Sequence, residues 1–95
     1  MIAVLTLEIR IEGAQSLKDK RQVLRRMKDR LRHSFNVSVA EMDASGLWNQ
    51  ATIGVAAISD SRSYLEGLMQ NIERSAGAIA SKSGAEIVDT FVDFL

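Results

Sequence analysis

The period at which apolar residues recur changes four times along this 95-residue chain, and that switching constrains its fold more than any other feature. Residues 2–12 alternate, with Ala3, Leu5, Leu7, Ile9 and Ile11 in one row and Thr6, Glu8, Arg10 and Glu12 in the other. A period of two predicts a strand with one buried face, and Gly13 ends it. From Leu17 to Arg32 the period lengthens: Leu17, Leu24, Met27 and Leu31 recur at helical spacing and Val23 widens the stripe. Ser16 is the expected N-cap, with Asp19 three residues on as a short-armed capping box. Phe35 to Met42 alternates again, Asp43-Ala44-Ser45-Gly46 supplies turn-formers, and Ala51 to Ile58 reads as a third strand. That run carries Ile53, Val55 and Ala57 on one side and Thr52, Gly54, Ala56 and Ile58 on the other, which predicts a central position. Ser59-Asp60-Ser61 offers caps for a second helix with the stripe Leu65, Leu68, Met69, Ile72, Ala76 and Ile79. The weakly helical run from Ala76 to Ala80 predicts fraying before Ser81. Ile87 to Leu95 reads as a last strand, with Val88, Val92 and Phe94 on one side and Asp89 and Asp93 on the other.

The order β-α-β-β-α-β needs two right-handed βαβ units joined by a hairpin. Its compact solution is a four-stranded antiparallel or mixed sheet, spatial order 4-1-3-2, with both helices on one face: a ferredoxin-like α/β sandwich. At 10.5 kDa, residues 1–95 make one such domain. Without cysteine, disulfides and sulfur-ligated metals are excluded, and the single histidine, His33, offers little for a metal. No metal or other cofactor is expected. The N-terminus lacks a basic leader, and no apolar run approaches the roughly 18 residues that span a bilayer. The expectation is a cytoplasmic protein with no membrane partner.

Net charge is zero, but its distribution is uneven. Between Ser16 and His33 stand eight Lys/Arg and two Asp, a local charge of +6 that the remaining chain offsets. Such segregation gives a neutral protein a cationic face able to hold phosphates. Arg21, Arg25, Lys28 and Arg32, spaced by four, three and four, are expected to share a helix face turned away from the apolar stripe. They are the candidate contacts to the phosphates of structured RNA. The alternatives are a solvated face, or a face that meets an acidic protein partner. On the open side of the sheet, Val4, Thr52, Gly54 and Ala56 form a row of small residues and a candidate homodimer face. RNA-recognition domains of this topology stack bases on aromatics of the first and third strands, and those positions carry none here. Trp48 is expected to cap the end of the core, with anchoring of a partner as the other reading. His33 is expected to gain from the helix C-terminus, and the pairs Glu41/Asp43 and Asp89/Asp93 read as solvated carboxylates. No Gly-Lys-Ser/Thr phosphate loop occurs, and the glycine-rich loop of acylphosphatases is missing after the first strand. No catalytic residues are assigned.

Three stretches carry a family resemblance: Val4-Leu5-Thr6-Leu7-Glu8-Ile9 leading to Ser16-Leu17-Lys18-Asp19-Lys20-Arg21, then Phe35-Asn36-Val37-Ser38-Val39-Ala40-Glu41, then Leu47-Trp48-Asn49-Gln50-Ala51. In this order the chain resembles the YlxP-like family of small bacterial proteins. The resemblance implies a ferredoxin-like fold and a cytoplasmic location. It also implies a ribosome- or RNA-linked role, because genes of the family often lie beside those of translation initiation and ribosome-maturation factors. It supplies no catalytic residue.

Overall fold

Strand β1 (Ile2–Arg10) is where the alternation of the sequence meets its partners. In the computed structural model, which describes residues 1–42 and 46–95, Ala3, Leu5, Leu7 and Ile9 are all buried against the helices. The remaining elements are α1 (Leu17–Ser34), β2 (Ser38–Glu41), β3 (Gln50–Ile58), α2 (Arg62–Lys82) and β4 (Glu86–Phe94). Among the described residues the sheet runs β2-β3-β1-β4, the expected order read from the other edge. Every neighbouring pair is antiparallel, because each βαβ unit is split by a strand from the other unit.

The core lies between one sheet face and the two helices. Leu24, Met27 and Leu31 of α1 and Leu65, Met69, Ile72, Ala76 and Ala80 of α2 meet Leu5, Leu7, Ile53 and Val55 there. Burying each large side chain contributes roughly 1.5–3 kcal/mol, and this opposes the conformational entropy of so short a chain. Leu17, expected in the stripe, is exposed at the first residue of α1.

The helix ends follow local chemistry. Ser16 Oγ accepts from Asp19 N–H at 3.2 Å, and the Asp19 carboxylate accepts from Gln15 N–H at 3.0 Å, one residue outside the usual capping box. Helix α2 continues to Lys82 instead of fraying before Ser81. Its end is closed by Gly84 at φ +77°, which lets Ala85 N–H reach Ala80 O at 2.8 Å.

Strand boundaries shift, and one ladder slips. β1 stops at Arg10, although Ile11 stays buried and its N–H donates to Asn49 O at 2.9 Å. β2 begins at Ser38, because Phe35 is spent in closing α1, its N–H donating to Leu31 O. In β4 the pairing with β1 slips between Ile87 and Asp89, leaving Val88 unpaired at a bulge. Val88 therefore does not share the inner row with Val92 and Phe94, and Ile87 takes that place against Ile9. The turn-formers Asp43, Ala44 and Ser45 lie outside the described residues.

Candidate nucleic-acid interface

Helix α1 presents two basic flanks, one on either side of its buried stripe. With 100° per residue, Arg21, Arg25, Lys28 and Arg32 fall on the flank beside β2, and Arg26, Arg30 and His33 on the flank beside α2. By spacing, the first set shares one face turned away from the apolar stripe. The structure divides it. Arg21 and Arg25 are exposed and have no ion-pair or hydrogen-bond partner among the described residues. Lys28 Nζ stands 2.7 Å from Glu41 Oε1, and Arg32 Nη2 donates to Val39 O at 2.7 Å. Arg32 also lies 3.8 Å from Asp29 Oδ1.

The reason is the edge that the flank faces. Met42 N–H donates to Thr52 O, so Ala40 and Ser38 are the next residues bonded to β3. Alternation then turns the backbone groups of Val39 and Glu41 outward. Two long cationic side chains of α1 reach that edge: Arg32 meets the Val39 carbonyl and Lys28 the Glu41 carboxylate. Lys20 behaves similarly one layer down: its Nζ donates to Leu47 O at 2.6 Å, and the residue is only 8% exposed. Its stem packs in the core's margin while its charge is held by the loop.

On the opposite flank, Arg26 and Arg30 line a cavity of about 180 Å³ with Ile79, Lys82 and Ser83 of α2 and its cap. A broader, open hollow of about 430 Å³ adjoins it, lined by Arg26, Asp29, Arg30 and His33. The spacing of Arg26 and Arg30 by four was visible in the sequence. The approach of Lys82 was not, since it depends on how α2 packs beside α1.

The open sheet face also differs from expectation. Gly54 is buried beneath Met42, whose Cγ would lie 3.1 Å from an added Cβ. Thr52 donates its hydroxyl to Glu8 Oε2 at 2.8 Å, and Val4 and Ala56 are half-buried. The apolar surface exposed on this face comes instead from Ile2, Met42, Ile58 and Phe91. Phe91 is 51% exposed opposite Thr6, an aromatic that the reading of the first and third strands passed over. Its position was legible from alternation with Asp89 and Asp93. Arg10 pairs with Glu86 at 3.0 Å, leaving Glu8, Asp89 and Asp93 as an acidic margin on the same face.

Trp48 is 50% exposed and stands apart from the core, so it does not cap it. It stands in the turn that leads into β3. His33 is exposed at the end of α1, and Asp43 falls outside the described residues. Among the described residues no group of three or more His, Cys, Asp or Glu could hold a metal ion, and no helix is long and apolar enough to cross a membrane.

Fold and surface together define a ferredoxin-like α/β sandwich with a cationic helix layer and an acidic margin on its open sheet. The chain belongs to the family described as a protein of unknown function (DUF503), which matches residues 2–92. It is 39% identical over 72 residues to the uncharacterised protein YlxP of Bacillus subtilis (strain 168), covering 76% of this chain and 78% of that one. Among solved structures, a de novo designed protein with a ferredoxin fold aligns over 100% of this chain and 87% of its own, with a TM-score of 0.66 at 12% identity. A C-terminal segment of the alpha subunit of aIF2 from Pyrococcus abyssi aligns over 97% of this chain with a TM-score of 0.55 at 15% identity. This chain spans about half of that segment, 48% of its length. At such identities the two structures speak to the fold alone.

Proposed function

We propose that this protein is a non-enzymatic cytoplasmic binding module that contacts the phosphate backbone of structured RNA, including ribosomal RNA, through the basic layer of α1. The observation that carries the reading is the set Arg21, Arg25, Arg26 and Arg30: four guanidinium groups on one helix, without ion-pair partners among the described residues. Guanidinium forks suit phosphate oxygens, which accept two parallel hydrogen bonds from one arginine. Three or four such contacts give a log–log dependence of affinity on salt with a slope of roughly −2 to −4. Sequence preference is weak, because phosphate contacts carry no base information. Filter binding of ribosomal RNA fragments across a salt series tests the reading, and retention that ignores salt contradicts it.

A second reading concerns self-association, and the free edge of β4 favours it. Ile2 and Leu95 exchange backbone hydrogen bonds of 3.0 and 2.7 Å, so Asp93 and Phe91 are the next residues bonded to β1. Alternation leaves Thr90, Val92 and Phe94 with backbone groups directed outward. Of these, Thr90 N–H is taken by Asp89 Oδ1 at 2.9 Å. A second copy, antiparallel along this edge, would satisfy the others and extend the sheet. Sedimentation at micromolar concentration is expected to give a dimer. Val92→Pro, which removes an outward N–H without touching the β1 ladder, is expected to give monomer. Thr52→Arg or Ala56→Arg gives monomer instead if the open face is the contact.

A further inference from the structure

The cavity between α1 and the end of α2 gathers positive charge in a concave place. Arg26 and Arg30 form one wall, one helical turn apart, and Lys82, the last residue of α2, forms the other. Ile79 and Ser83 complete the lining. Like charges around one hollow repel, and an anion held among them relieves that repulsion. The carboxylates nearby do not serve as that anion. Asp29, which lines the adjoining hollow, lies 3.8 Å from Arg32 Nη1. Asp19 accepts from Gln15 N–H, and Glu12 stands 3.8 Å from Arg10 Nε. Neither Arg26, Arg30 nor Lys82 has an ion-pair or hydrogen-bond partner among the described residues.

The α2 terminus is also prepared for an anion in a less obvious way. A helix C-terminus ordinarily presents carbonyl oxygens that repel one. Here Ile79 O accepts from Ser83 N–H at 3.1 Å and from Ser83 Oγ at 2.8 Å. Ala80 O accepts from Ser83 N–H at 2.9 Å and from Ala85 N–H at 2.8 Å. The tight turn at Gly84 thus covers two of the carbonyls of the last turn while leaving the Lys82 side chain in solvent.

From this geometry we propose that the cleft lined by Arg26, Arg30 and Lys82 is a phosphate-binding site, holding one backbone phosphate of the RNA. It rests on the proposed RNA reading and narrows it to the flank of α1 beside α2. The flank beside β2 is a weaker candidate, since two of its four cations, Lys28 and Arg32, are already engaged there and no cavity gathers Arg21 and Arg25 with a third cation among the described residues. No aromatic side chain lines the cleft, so it grips phosphate without stacking a base.

The same chemistry would accept a free phosphate compound, and two probes separate the sources. In amide NMR, pyrophosphate at moderate salt is expected to shift the Nε–H resonances of Arg26 and Arg30 and the amides around Ser83 to Ala85, with saturation. In fluorescence anisotropy, a structured RNA hairpin is expected to bind the Arg26→Gln/Arg30→Gln protein roughly tenfold more weakly, with a salt slope flatter by about one to two. Lys82→Gln should weaken binding less, by roughly threefold. Glutamine keeps good helix propensity, and an unchanged amide spectrum outside the cleft verifies the fold of each variant. If Arg21→Gln/Arg25→Gln weakens RNA binding while the cleft variants do not, and pyrophosphate leaves the cleft unshifted, the cleft proposal is overturned and the RNA reading stands. Saturable pyrophosphate shifts with no RNA binding at any salt overturn the RNA reading and leave a site for small phosphate compounds. Failure of both probes removes both.

Discussion

The two flanks of α1 carry the same kind of residue, but the flank beside β2 commits two of its four cations where the flank beside α2 commits neither arginine. Beside β2, Lys28 and Arg32 close on a short strand edge, one on a carboxylate and one on a backbone carbonyl. Beside α2, Arg26 and Arg30 line a hollow with a third cation and no committed partner. The difference lies in what the neighbouring element offers. A strand edge presents acceptors, whereas a capped helix end presents few. Arginine content alone therefore does not locate a binding face, and the chemistry of the adjoining surface sorts structural cations from available ones.

The comparison depends first on the stripe between the flanks. Leu24, 1% exposed, fixes the rotational phase of α1. Leu24→Ala is expected to lower stability by about 2–4 kcal/mol in urea titration. A loss below about 0.5 kcal/mol would show that the phase separating the flanks is wrong.

A smaller effect contrasts the flanks directly. Arg32→Gln removes a charge-assisted bond to Val39 O and is expected to cost about 1 kcal/mol, with faster amide exchange along β2. Arg30→Gln is expected to stay within about 0.5 kcal/mol, as befits an exposed side chain with no partner among the described residues. Equal losses in thermal melts would erase the distinction. The smallest effect belongs to Lys28→Gln. Its pair with Glu41 is partly exposed, so solvent screening limits the loss to a few tenths of a kcal/mol. That loss should fade by about 1 M salt, where the Debye length is about 3 Å.

Much of the fold was legible because burial selects on one face at a time. The alternating row of Ala3, Leu5, Leu7, Ile9 and Ile11 is buried throughout, and the stripe Leu24, Met27 and Leu31 meets it as spacing implies. What escaped depends on contacts between elements. The bulge at Val88 is a property of the β1–β4 ladder, and no residue type announces it. Gly54 reads as a small exposed residue until Met42 is seen to cover it. The fate of Lys28 and Arg32 depends on where β2's outward groups lie, which spacing within α1 cannot reveal. Trp48 reads as a core aromatic by type, yet its side chain stands half exposed in the turn before β3 and outside the core cluster.

The position of β1 has a consequence for how the protein forms. It is an inner strand, paired on one side with β3 and on the other with β4, and its Ile2 bonds to Leu95. A ribosome delivers the first-made strand long before its last partner. Until β4 emerges, β1 keeps one whole ladder of backbone groups unmet beside the most regular apolar row in the chain. Closing so distant a contact is slow compared with local helix formation. Until β4 docks, β1 is paired on one side at most, so the sheet is complete only when these two distant strands have closed on each other.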